Sequence, residues 1–109
     1  MTKQDLINYL QAVPGHIEQA EQAVLTAQEQ IITAKDALSA REAELYNEGK
    51  IDGKNAEIRA TQLRQLTTPE RNEIAKAEND ISQARIKLTR LQNNFSAYKA
   101  IAYMLRAGE

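Results

Sequence analysis

Few residues in this chain have the chemistry to act on a substrate. The single histidine, His16, follows directly on Pro14-Gly15. It has no serine or cysteine arrangement beside it that would make a nucleophile and base pair. Helical bundles can hold a di-iron carboxylate centre, which needs Glu-x-x-His on facing helices. No glutamate here is followed three residues later by histidine. Glu18 and Glu21, or Glu70 and Glu73, share a helix face, but carboxylates at that spacing on a polar face read as solvated surface. No Walker loop or dinucleotide-binding glycine pattern is present. The sequence therefore predicts no enzyme, no catalytic residue, no metal ligand and no cofactor.

Basic residues are the other chemistry available. Lys50, Lys54, Arg59 and Arg64 lie in the middle of the chain, and Lys87, Arg90, Lys99 and Arg106 lie towards its end. A basic stripe can track a phosphate backbone, and Tyr98 and Tyr103 could stack on bases. Nucleic acid or a nucleotide-like ligand is thus one candidate partner. Lys54, Asn55 and Arg59 could also take a small anion. Against this, Tyr98 falls on an apolar seam, and an acidic helix elsewhere in the chain can neutralise the stripe.

The elements that must position these groups are helical. Stepping by three and four from Ile17 meets Ala20, Val24, Ala27, Ile31, Ala34, Leu38, Arg41 and Leu45. Only Arg41 interrupts the apolar series. From Ile74 the same step meets Ala77, Ile81, Ala84, Leu88, Leu91, Phe95, Tyr98, Ala102 and Leu105 without a break. Two such heptad runs predict coiled-coil packing. Asn47-Glu48-Gly49 offers a helix stop with glycine for the left-handed position. Thr68-Pro69-Glu70 offers an N-cap, a proline at the first helical position and an acid in the first turn. Pro14-Gly15 is expected to separate a short first helix from the first long one. The predicted helices are 3–13, 16–48, 55–66 and 69–106, in a single helical domain over 1–109. Each long helix would span about 50–57 Å.

The expected fold class is all-α: a long antiparallel coiled-coil hairpin with a short N-terminal helix and a short connector helix, dimerising into a bundle. The connector opens with a turn at Asp52-Gly53, and Ile58, Leu63 and Leu66 are its expected contacts. Returning the chain on itself would pair residues whose numbers sum to about 119. Residues 17–48 carry seven acids and two bases, whereas residues 81–108 carry five bases and no acid. That asymmetry favours the two segments lying side by side, within one chain or between two swapped chains. Leu6, Tyr9, Leu10 and Val13 form an apolar stripe on the first helix. It would fold back to cover an open end of the hairpin or serve as an arm that docks on a partner. Ile32 and Ile86 lie off the seam and suggest a second interface, hence a homodimer.

Composition bounds the rest. The chain has 109 residues, a net charge of −1 and no cysteine. Disulfides, thiolate chemistry and cysteine-based zinc sites are excluded. No apolar run approaches the roughly 18 residues needed to span a bilayer, and MTKQDLINYL has no signal-peptide core. The expectation is a cytoplasmic protein with no membrane partner.

Gly53-Lys54-Asn55-Ala56-Glu57-Ile58-Arg59, followed by Gln62-Leu63, is the most distinctive segment. With the heptads on either side it resembles small uncharacterised helical proteins encoded by phages and prophages, in which a similar segment joins two coiled-coil helices. The likeness covers residues 17–100 and brings no function with it. It implies a phage context, a host-cytoplasm location and action by binding a protein partner, as an adaptor or an inhibitor of a host factor. Lys54, Asn55 and Arg59, with Leu6, Tyr9 and Leu10, are the candidate partner-binding residues.

Overall fold

A computed structural model describes residues 1–108. Three helices account for almost all of it: α1 (Lys3–Asn47), α2 (Ala56–Leu66) and α3 (Thr68–Ala107). No strand occurs among the described residues. The fold is an all-α helical hairpin.

The separate short N-terminal helix does not form. α1 runs through Pro14 without interruption. Proline removes one backbone donor and crowds the carbonyl four residues earlier, at a cost of about 3 kcal/mol in a helix interior. The opposing force is burial. Leu6, Leu10 and Val13 fall on the same heptad series that continues through Ile17 and Ala20. Leu6 and Val13 are buried. An uninterrupted helix keeps this stripe in phase with α3, and a break would rotate it away. No residue near Pro14 takes a positive φ.

The ends of α1 are fixed locally. At the start, Asp5 N–H donates to Thr2 Oγ1 (3.0 Å) and Thr2 N–H donates to Asp5 Oδ2 (2.9 Å), a reciprocal cap that satisfies otherwise orphan donors. At the end, Lys50 N–H donates to the Leu45 carbonyl and Gly49 N–H to that of Tyr46. Gly49 has φ +71°, the left-handed C′ residue of a Schellman motif. α2 follows Asn55, and α3 begins at Thr68, which is therefore its first helical residue and not the expected N-cap.

Contacts divide the chain into two compact units, residues 1–26 with 81–109 and residues 27–80. In the first unit Tyr9 packs on Tyr98, with ring centroids 4.5 Å apart and planes tilted by 57°. Leu6, Val13, Ala20 and Ile81 are buried there. In the second unit Arg71 reaches Glu42 (3.7 Å), and Leu45, Ile51, Thr67, Ala27 and Ala77 are buried. α1 and α3 are antiparallel in both. The Tyr9–Tyr98 and Glu42–Arg71 numbers sum to 107 and 113, twelve and six below the expected 119. A heptad pattern repeats every seven residues and does not by itself fix the register of its two helices.

Candidate functional site

The connector, where three candidate binding residues lie, belongs to the second unit and is tied together by its own polar groups. Asn55 Oδ1 accepts from Ile58 N–H (2.9 Å) and caps α2. Arg59 Nη1 donates to the Gly53 carbonyl (3.1 Å). Gln62 closes the loop from the other side. Its Oε1 accepts from Gly53 N–H and its Nε2 donates to Asp52 Oδ1, both at 2.9 Å. Asn55 and Arg59 are therefore engaged in folding the loop, while Lys54 is exposed.

The contacts of α2 also differ from expectation. Ile58 and Leu66 are exposed and Leu63 is half-buried. The residues that bury are Ile51 and Thr67, which flank the helix. Thr67 is fully enclosed because its hydroxyl is satisfied twice: it donates to the Leu63 carbonyl (2.6 Å) and accepts from Arg71 Nε (3.0 Å). A buried hydroxyl is affordable only when so paired. Sequence reasoning missed Gln62 and Thr67, since neither breaks the helix pattern.

The other three candidates lie in the first unit. Leu6 is buried, Leu10 half-buried, and Tyr9 packed at a tilt against Tyr98. They belong to the α1–α3 seam. Tyr98 is likewise held by Tyr9, and Lys99 Nζ sits 4.7 Å from the Phe95 ring centroid, a cation–π contact. Leu6 and Leu10 nevertheless border an open hollow of about 320 Å³ with Ile7, Ala102 and Leu105. A second hollow, about 600 Å³, is lined by Met1, Leu6, Tyr98, Ile101 and Leu105.

Beside both hollows α3 carries an apolar run from Ala100 to Leu105, flanked by Lys99 and Arg106. Ile101, Tyr103, Met104 and Leu105 are 46, 75, 71 and 53 % exposed. Leu105 is a seam position, yet the first turn of α1 alone cannot cover it. This end of the first unit is the strongest candidate for an interaction surface; from the sequence its α1 side was singled out for partner binding, and its α3 side only through Tyr98, Tyr103 and the basic residues, for nucleic acid. The run Ile101–Leu105 was the available signal.

Chemistry is sparse elsewhere. A third hollow, about 340 Å³, is lined by His16, Gln19, Ala20, Ala84, Lys87 and Leu91. Among the described residues no three His, Cys, Asp or Glu side chains are placed to hold a metal ion. None of the described helices is long and apolar enough to cross a membrane. No family model, curated protein or solved structure matches the chain.

Proposed function

We propose that this chain is a non-enzymatic interaction protein that acts by binding a macromolecule through its helix surfaces. The observation that carries this reading is the uncovered apolar end of α3, Ile101 to Leu105, beside the first turns of α1. Contiguous exposed apolar surface of this kind marks protein contacts in soluble chains. The connector's resemblance to phage and prophage proteins adds a setting, a phage-encoded adaptor or inhibitor working in a host cytoplasm. Homodimerisation is part of the proposal, because the half-buried seam leaves apolar surface for a second chain.

A low-salt preparation examined by native mass spectrometry and ultraviolet absorbance tests the reading. The chain has four Tyr and no Trp, so retained nucleotide would dominate the spectrum. Masses made of protein alone, with no excess absorbance near 260 nm, are expected. Added mass with strong 260 nm absorbance would replace this reading by phosphate binding through the connector and last helix.

A further inference from the structure

We infer that a second copy of this chain covers the exposed apolar faces, with the first unit of each copy lying against the second unit of the other. The inference deepens the homodimer part of the proposal above and rests on it. Three observations point the same way.

The first is charge. By sequence the first unit holds six basic side chains, Lys3, Arg85, Lys87, Arg90, Lys99 and Arg106, against four acids, Asp5, Glu18, Glu21 and Glu109, a net of +2. The second unit holds eight basic and eleven acidic side chains, a net of −3. Like units side by side would set +2 against +2 and −3 against −3. Opposite units set +2 against −3, which steers and orients association. A foreign acidic partner would suit only the first unit, whereas a second copy satisfies both at once in a closed, self-complementary contact.

The second is where the exposed apolar residues sit within that field. In the second unit Ile32, 61 % exposed, lies one turn from two acids, Glu29 and Asp36, and one base, Lys35. In the first unit Ile86, 46 % exposed, adjoins Lys87 and lies one turn from Arg90. Each exposed isoleucine is thus bordered by net charge of the sign opposite to that around the other, an apolar contact with a polar rim.

The third is area. The chain exposes 7999 Å² at 12.2 kDa, against about 6,100 Å² for a typical folded monomer of that mass. The surplus, about 1,900 Å², exceeds the roughly 800 Å² that each partner contributes to a standard interface.

Carbodiimide cross-linking of an equimolar mixture of ordinary and ¹⁵N-labelled chains tests the arrangement, because mixed-isotope peptides report contacts between chains only. Lys87 or Lys99 of one chain should be joined to Glu29 or Asp36 of the other, and native mass spectrometry should show a dimer that weakens with salt. Mixed-isotope links from these lysines to Glu18 or Glu21 would place like units together and overturn the inference. A monomer at all concentrations would also overturn it, while leaving binding to another macromolecule standing. Retained nucleic acid would instead sink the broader reading. Lys87→Glu with Arg90→Glu should weaken the dimer at least about tenfold, and adding a chain carrying Glu29→Lys and Asp36→Lys should restore a mixed dimer. Failure of that rescue, with both variants helical by circular dichroism, would count against the pairing. The cross-links of the unmodified chain decide the matter even if a variant does not fold.

Discussion

Asn55 and Lys54 are neighbours with different work to do. Asn55 Oδ1 satisfies a backbone donor at the start of α2, whereas Lys54 is exposed. Asn55→Ala should lower stability by about 1 kcal/mol, and Lys54→Ala should leave it within about 0.5 kcal/mol, both read from urea unfolding. Equal losses would mean that the loop is not held by its cap. At the other end, Asp5 has its carboxyl held below the ordinary value of 3.8 by the backbone hydrogen bond from Thr2, reinforced by the Thr2 hydroxyl. A lowered folded-state value means that this cap contributes fully above the ordinary value. The contribution fades as the pH falls through the lowered one. Amide protection in the first turn of α1, corrected for the intrinsic exchange rate, should therefore fall on acidification below that range, and Asp5→Asn, which cannot titrate, should remove the pH dependence. Asn55 was legible as a cap by its residue type, whereas the Thr2–Asp5 cap was not read, although its i, i+3 spacing carries the signal. Thr67 and Gln62 were illegible because a buried hydroxyl and a loop-closing amide depend on partners that only the folded chain supplies.

The helix runs are the most legible layer of the molecule. Ala20, Ala27, Ala77 and Ile81 were assigned to the seam by the heptad step, and all are buried. Arg41, the one charged seam residue of α1, is tolerated because it remains half-buried and pairs with Glu44 at 3.0 Å. Ala77→Glu should cost roughly 2–3 kcal/mol, since it places a carboxylate where the helices meet with no built partner. An unchanged melting temperature would contradict the close-packed layer. The misreading was at Pro14, where local propensity outweighed phase. Leu6, Leu10 and Val13 already stood in register with Ile17 and Ala20, so in-phase hydrophobicity across the proline was the better guide. Because α1 continues through it, Pro14→Ala should raise stability, by about 1–3 kcal/mol, with more helical signal by circular dichroism. A chain whose helix really stopped there would gain nothing from the change.

At the scale of the whole chain, the sequence fell short on register. The heptad runs pointed to a hairpin, but a pattern that repeats every seven residues does not fix the alignment of its two helices. The same periodicity leaves Ile17, Val24, Leu88 and Phe95 half-buried, because two helices cannot enclose a seam from every side. That incomplete enclosure makes stability a property of concentration if a second copy completes it. A partner that binds only the folded chain adds RT ln(1 + [L]/Kd), about 2.7 kcal/mol when its concentration is about a hundredfold above Kd. The melting temperature should thus rise with protein concentration. The rise should shrink as salt screens the oppositely charged units, whose exposed charges interact over roughly a Debye length of about 8 Å at physiological ionic strength. Scanning calorimetry over a wide concentration range, at low and at high salt, checks both dependences. A concentration-dependent melt indifferent to salt would keep the dimer but assign it to the apolar contacts alone. A melt indifferent to concentration would mean that the two-helix seam is the entire stabilising core.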